Sequence, residues 1–280
     1  MTSPAAGPAD LVDMSGVGPE ANARRGKFAL LVMGVLSVVI NGASRFPATQ
    51  IWSSVAFVVS VNLSLGVAFA VYHRDRVMLR WFAVALVAGF AELLADWYGV
   101  THAGPLVNGV RSGSLVYGPE PRLWVSPAYR PLAWTGTLIQ FMALSTWLRD
   151  QWSTTATTVA VVLFGAAYMP LNEHLGRAAN WWVYVRTPML LDNAPYYIAV
   201  GEGLLCIPVV FAGRAVARAG PARLLAWGLL LGAGIFAAYW LGFALTGGCD
   251  ASYPWPSGSF RFFAEHFDLA HGCSVPASVW

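Results

Sequence analysis

Three carboxylates stand inside apolar stretches that have little reason to keep them. Glu92 and Asp96 lie in VALVAGFAELLADWYGV, and Glu202 lies in YYIAVGEGLLCIPVVF. An ionised side chain in hydrocarbon costs about 3 kcal/mol even on lenient scales, so such a group faces a protein interior or a polar cavity and marks a functional site by default. The four-residue spacing puts Glu92 and Asp96 on one helix face. Glu92 falls roughly 12 Å below one end of its span and Glu202 roughly 10 Å below the same end of another. The two glutamates are therefore expected to meet at one level if their helices are neighbours, with Asp96 nearer the mouth. Two carboxyl groups sharing an apolar interior can leave one protonated as a general acid, beside an ionised companion that accepts a proton or stabilises a developing cation.

A second polar group follows in AAYMPLNEHLGRAANWW and RTPMLLDNAPYY. Pro170 is expected to kink or end the helix there. Asn172, Glu173 and His174 come next, then Arg177, Asn180, Arg186, Asp192 and Asn193. Glu173 and Asp192 join the catalytic candidates, and Asn172 and Asn193 the substrate-binding ones. A wet surface loop would use the same residue types, but here they flank spans at the level where a cavity would open. Aromatic residues concentrate nearby, among them Trp97, Trp134, Trp181, Trp182 and Tyr197. Some belong to an interfacial aromatic belt, and the remainder are expected to line a pocket for an apolar substrate.

The elements that position these groups follow from composition. The 280 residues are 57% hydrophobic and 11% charged, with a mean hydropathy of +0.56, far from the roughly 25% charged content of soluble domains. Seven stretches approach the length needed to cross about 30 Å of hydrocarbon: 28–46, 50–72, 80–100, 131–148, 154–171, 195–217 and 224–246. The expected fold is all-α, a polytopic integral membrane protein of seven transmembrane helices. Basic residues cluster before the first span (Arg24, Arg25, Lys27), between the second and third (Arg74, Arg76, Arg80), after the fourth (Arg149) and between the sixth and seventh (Arg214, Arg218, Arg223). The positive-inside rule then puts the N-terminus in the cytoplasm and the C-terminus outside. Residues 1–23 read as a flexible cytoplasmic N-terminus without a cleavable signal pattern, 24–246 as the membrane domain, and 247–280 as an extracytoplasmic tail. The expected location is the cell membrane, multi-pass. The net charge of +3 is accounted for by the short basic loops and calls for no nucleic acid partner. Cys249 and Cys273 in the tail are expected to pair, leaving Cys206 in the sixth span alone.

Metal chemistry finds little support. Of the histidines His73, His102, His174, His266 and His271, none forms an HxxxH or HExxH pair. A catalytic metal and a redox cofactor are both left out of the expected chemistry. No dinucleotide fingerprint, P-loop or GxSxG motif is present, nor are aspartate-rich diphosphate-binding motifs.

The block GFAELLADWYGVTHAGPLVNGVRSGSLVYGPEPRLWVSPAYRPLAW resembles the core of the integral-membrane carotenoid hydratases of the bacterioruberin type. The matching positions are Glu92, Gly99, Val100, Thr101, Gly104, Tyr117, Pro131 and Trp134. LDNAPYYIAVGEG faintly resembles a later Tyr-rich stretch of that family, while residues 105–116 replace its compact turn by a longer insertion. In architecture the chain is also similar to small membrane terpene cyclases, whose seven helices use acidic residues to protonate an alkene or epoxide. The resemblance implies that Glu92 or Glu202 protonates an isoprenoid lipid and that Tyr117 and the tryptophans surround the resulting carbocation. Capture by water makes a hydratase, a form of lyase; attack by an internal double bond makes a cyclase, an isomerase. A metal-dependent membrane oxidase and a proton-coupled transporter of a lipophilic substrate are the alternatives. The partners expected in every case are a lipophilic small molecule and the bilayer.

Overall fold

The computed structural model describes residues 17–43, 52–104, 106–107, 110–111, 113–118, 120–178, 181–185, 187–191 and 194–246. Within them the helices are α1 (Pro19–Ala43), α2 (Trp52–Tyr72), α3 (Arg76–Ala91), α4 (Leu93–Thr101), α5 (Arg130–Leu148), α6 (Thr154–Ala178), α7 (Tyr196–Ala217) and α8 (Pro221–Thr246). Since α3 and α4 continue one another across Glu92, the bundle consists of seven helical rods. Five helical stretches are long and apolar enough to cross a membrane: Val55–Tyr72, Arg76–Thr101, Thr154–Leu175, Tyr196–Ala217 and Pro221–Thr246. Their outward faces carry exposed Phe57, Val71, Leu163, Leu229 and Leu230, a band of apolar surface suited to lipid.

Local chemistry sets the helix starts. Asp75 is the N-cap of α3, accepting from the Met78 N–H at 2.9 Å, and Pro221 opens α8, where its missing N–H costs nothing. Asp75 also receives Arg25 Nε at 2.6 Å and Nη2 at 2.8 Å in a buried ion pair. Arg25, read from sequence as a cytoplasmic flank, is thus inside the fold and bolts α1 to the start of α3.

α5 sits at the centre, packed against α1, α2, α3, α6 and α7. Its buried Leu138, Ile139 and Met142 share one core cluster with Trp81, Val210, Leu231 and Ile235. Because protein and not lipid surrounds it, α5 tolerates Gln140, whose amide donates to Asn62 Oδ1 on α2 at 2.9 Å. Small residues permit close helix approach, as expected where dispersion and not hydrophobicity holds helices together. Gly89 lies against the Pro131 backbone, and Gly228 and Gly232 lie against Val87 and Ala91.

α6 differs from expectation. It runs through Pro170 to Ala178, so Asn172, Glu173 and His174 are helical and not in a loop. A proline removes one hydrogen bond from a helix, but packing and neighbouring groups in a helix bundle sustain the remainder.

The long connections at one end of the bundle form short antiparallel ribbons. These are β1 (Leu106–Val107) with β2 (Val110–Arg111), β3 (Leu115–Tyr117) with β6 (Trp182–Tyr184), β4 (Arg122–Leu123) with β5 (Ser126–Pro127), and β7 (Met189–Leu191) with β8 (Ala194–Pro195). The β3–β6 pair joins the α4–α5 connection to the α6–α7 connection, with Leu115 opposite Tyr184 and Tyr117 opposite Trp182. Ser114 N–H donates to the Gly99 carbonyl at 2.9 Å, and Val185 N–H donates to the Ser114 carbonyl at 2.7 Å. This ribbon is thereby fastened across the ends of α4 and α7.

Candidate functional site

Glu92 occupies the break between α3 and α4. Its carbonyl accepts both Ala95 N–H at 2.7 Å and Asp96 N–H at 3.1 Å, a local tightening that directs the two carboxylates toward the start of α5. There the first residue of that helix, Arg130, reaches between them. Its Nη2 donates to Asp96 Oδ1 at 3.0 Å and to Glu92 Oε1 at 3.3 Å, and its Nε donates to Asp96 Oδ2 at 3.2 Å. Side-chain exposure is 12% for Arg130, 1% for Glu92 and 3% for Asp96, so the triad is removed from solvent. The β3–β6 ribbon supplies one more donor: Tyr117 Oη donates to Asp96 Oδ2 at 2.8 Å. Asp96 thus accepts three hydrogen bonds, the arrangement suited to a carboxylate anion. Glu92 Oε2, in contrast, is buried without a hydrogen-bond partner among the described residues. The Trp134 indole N–H lies close enough to influence Glu92 but completes no hydrogen bond.

Beside this triad is a cavity of ≈ 30 Å³, room for one or two water molecules. Glu92, Asp96 and Arg130 form its polar wall; Tyr184, Tyr197 and Tyr239 contribute much of the rest. Tyr197 Oη and Ser114 Oγ are 3.0 Å apart, tying α7 to the ribbon. Tyr239 donates to Glu202. Glu202 itself is not in the cavity lining, and Glu92 and Glu202 share no hydrogen bond among the described residues. Glu173 is buried on α6 and accepts from the Trp182 indole N–H on the ribbon. The Arg130 guanidinium is within electrostatic reach of Glu92, Asp96, Glu173 and Glu202 alike. Its direct ion pairs are with Glu92 and Asp96.

Other anticipated residues are distributed unevenly. Trp134 is buried against this site, with its ring edge-on to Tyr239 at 6.0 Å and 5.9 Å from the Arg130 guanidinium. Trp97 stacks on exposed Trp124 at 5.9 Å and packs at a tilt against His102 at 4.4 Å, and it is not in the cavity lining. Trp181 is buried with Val55, Val58 and Tyr129 in a cluster against α2. Asn172 donates to the Tyr168 carbonyl at 3.0 Å within α6. Asp192, Asn193, Arg177, Asn180, Arg186, the tail histidines His266 and His271, and the Cys249–Cys273 pairing lie outside the described residues, or their side chains do. Cys206 is free and buried. Among the described residues no group of three His, Cys, Asp or Glu side chains is placed to hold a metal ion, and His102 Nδ1 is engaged with Thr101 Oγ1 at 2.5 Å.

Sequence reasoning missed Arg130, Tyr239 and Ser114, and had Tyr184 only as one of the aromatics gathered at that end. A basic residue at the edge of an apolar stretch reads as a topology signal, which hid Arg130. Its position one residue before the Pro131 that begins a span with Trp134 was the only local hint. Outside the spans, burial raises the ionisation of Tyr117 and Tyr184 well above the usual phenol range, with the negative charges of Asp96 and Glu173 adding to it. Both phenols therefore stay neutral donors over any physiological pH.

Residues 93–246 match a family model described as a domain of unknown function (DUF6989). No curated protein and no solved structure matches the chain. The matched segment runs from α4 to the end of α8 and includes Asp96, Arg130, Glu173, Glu202 and Tyr239, with Glu92 immediately before it. Since that segment is more than half of the chain, the protein belongs to the DUF6989 family.

Proposed function

We propose that this protein is a seven-span enzyme of the cell membrane, N-terminus inside, that performs acid-initiated chemistry on the unsaturated end of an isoprenoid lipid. The observation that carries this reading is the unpartnered Oε2 of buried Glu92 beside a small aromatic-walled cavity. In the proposed reaction the Glu92 Oε2–H bond breaks and a C–H bond forms at one alkene carbon, leaving a carbocation at the other. The rings of Tyr197 and Tyr239, which line the cavity, stabilise that charge by cation–π attraction. Asp96, held by Tyr117, balances the Arg130 charge and keeps Glu92 in register. A cavity sized for water supports capture by a water molecule over ring closure: the water oxygen bonds to the cation, and its surplus proton returns to the Glu92 carboxylate. The product is then the alcohol, one water heavier than the substrate. The bulk of an isoprenoid exceeds ≈ 30 Å³, so binding requires the β3–β6 ribbon to shift from α4 and α7 while the tail stays in the bilayer.

The resemblance of the Glu92–Trp134 block to carotenoid hydratases agrees with this reading. A proton-coupled carrier is the second reading, favoured by the burial of Glu92, Asp96, Glu173 and Glu202 within one helix bundle. Incubating membranes with squalene-like, carotenoid-like and prenylated aromatic substrates and weighing the products separates the cases. A gain of one water supports hydration, an unchanged mass with altered retention supports cyclisation, and a gain of one oxygen overturns both in favour of oxidation. Substrate-dependent proton flux in sealed vesicles without a new product establishes the carrier instead.

A further inference from the structure

Glu173 on α6 and Glu202 on α7 are 5% and 2% exposed, and the proton transfer proposed for Glu92 uses neither. A carboxyl group taken that far out of water is costly unless donors reach it, and both are reached from the same cavity wall. Tyr239 donates to Glu202. Glu173 is hydrogen-bonded by Tyr184 and by the Trp182 indole, an N–H that can only donate and so makes Glu173 an acceptor. Tyr184 and Tyr239 both line the ≈ 30 Å³ cavity beside Glu92, whereas Glu173 and Glu202 do not. Each of these carboxylates therefore stands one phenol behind the cavity.

A phenol carries a single hydrogen. With that hydrogen committed to the carboxylate behind it, the oxygen meets an occupant of the cavity as an acceptor only. Tyr197, whose ring is 6.0 Å from that of Tyr184 and 6.5 Å from that of Tyr239, is held differently: its hydroxyl is 3.0 Å from Ser114 Oγ, and either group can be the donor. Glu92 lines the same space, and its Oε2 has no partner among the described residues. Such a wall suits a small occupant that brings its own O–H groups, and in ≈ 30 Å³ that occupant is water.

We propose, on the basis of the hydration reading above, that Glu173 and Glu202 are positioning residues that fix Tyr184 and Tyr239 as acceptors for the attacking water. One hydrogen of the water is held by a phenol oxygen, and the other by Glu92 once it has given its proton to carbon. A lone pair of the water is then left to face the cation. The oxygen–carbon bond forms, the O–H bond directed at Glu92 breaks, and that proton returns to the Glu92 carboxylate, so the phenols neither gain nor lose a proton. Without this hold the cation has a competing exit, in which a neighbouring C–H bond gives its proton to Glu92 and an isomerised alkene of unchanged mass leaves. The two phenol–carboxylate pairs thus set how much of the cation becomes alcohol.

The test compares membranes carrying the wild type, E173Q, E202Q, E173L and E202L at equal abundance, incubated with the isoprenoid panel, and reads the ratio of alcohol to isomerised alkene by mass and retention. The amide oxygen of Gln still accepts from the phenol, so E173Q and E202Q are expected to keep the wild-type ratio. Leu accepts nothing and releases the phenol hydrogen, and the ratio is expected to fall about tenfold at either position, the worth of one well-made hydrogen bond. Y184F and Y239F keep the ring, lose the acceptor and shift the ratio the same way; they carry the test if the Leu variants do not accumulate. A merely structural role lowers alcohol and alkene together and leaves the ratio alone. Alcohol formed at an unchanged ratio in the Leu and Phe variants overturns the inference and leaves hydration standing. Loss of every product in E202Q also overturns it, since Glu202 is then the proton donor. No alcohol from the wild type overturns the hydration reading itself, and this inference with it.

Discussion

Replacing Arg130 with methionine removes the only cation that contacts Glu92 and Asp96 among the described residues while keeping much of its apolar volume. The guanidinium makes three hydrogen bonds to these carboxylates and lies over the rings of Tyr117 and Trp134 at 5.8 and 5.9 Å. Breaking a buried pair by removing one partner costs about 3–5 kcal/mol, because the surviving charge is stranded. For a protein of this length each kcal/mol moves the melting temperature by about 2–4 °C, so R130M is expected to melt roughly 6–20 °C below the wild type. The argument also makes a compensating prediction. In R130M/E92Q/D96N no stranded charge remains, and the Tyr117 hydroxyl can still donate to the amide oxygen that replaces the carboxylate of Asp96, so most of the loss returns. Thermal unfolding of the three proteins in one detergent, followed by tryptophan fluorescence, measures both effects. A melting temperature of R130M within about 2 °C of the wild type refutes the assignment of Arg130 as the counter-ion. So does a triple variant no more stable than R130M.

Four shorter predictions accompany it. Tyr239→Phe removes the donor to Glu202 and is expected to lower turnover by about tenfold, the worth of roughly 1.4 kcal/mol, with expression unchanged; undiminished turnover would remove Glu202 from the site. Gly89→Val drives a side chain into the Pro131 backbone and is expected to cost about 1–3 kcal/mol by overpacking the α3–α5 contact, read as lower recovery of folded protein from membranes. Glu120 is buried with both carboxylate oxygens unpartnered, and burial raises its ionisation above the ordinary carboxylate range. A raised folded pKa disfavours the folded state once pH exceeds it, so Glu120→Gln is expected to raise the melting temperature at pH 8 and to lose that advantage below about pH 4. Tyr117 and Tyr184 ionise later in the folded than in the unfolded chain; stability should therefore fall as pH rises past about 10, where the unfolded state loses phenolic protons that the folded state keeps. Ultraviolet titration of the folded protein should show these phenols resisting ionisation there.

The helices were largely legible because length and apolarity are sufficient to mark a span. α5 was the weakest signal, since Gln140 interrupts it, and its central position explains that: Asn62 satisfies the amide and no lipid has to accept it. Pro170 misled in the other direction, as packing carries α6 past it to Glu173. The paired strands were invisible, being two or three residues long, too short for an alternating pattern. Their effect on the site is large, because they bring Tyr117 to Asp96 and Trp182 to Glu173. Among the acids, Glu92 and Asp96 emerged from their spacing alone, but their partner could not. Arg130 lies 34 residues from Asp96 in sequence, and a charge at a span boundary has a simpler use. Matched depth pointed to Glu202 and left its donor Tyr239, which lines the cavity, unnoticed.

The central claim is that Glu92 delivers a proton to carbon. Membranes carrying the wild-type protein or Glu92→Gln at equal abundance are incubated in deuterium oxide with the isoprenoid panel, and the products are analysed by mass and by carbon-bound deuterium. The account predicts one deuteron on carbon and one water added in the wild-type product, with neither formed by Glu92→Gln. Full turnover by Glu92→Gln, or a product that gains oxygen without carbon-bound deuterium, contradicts it.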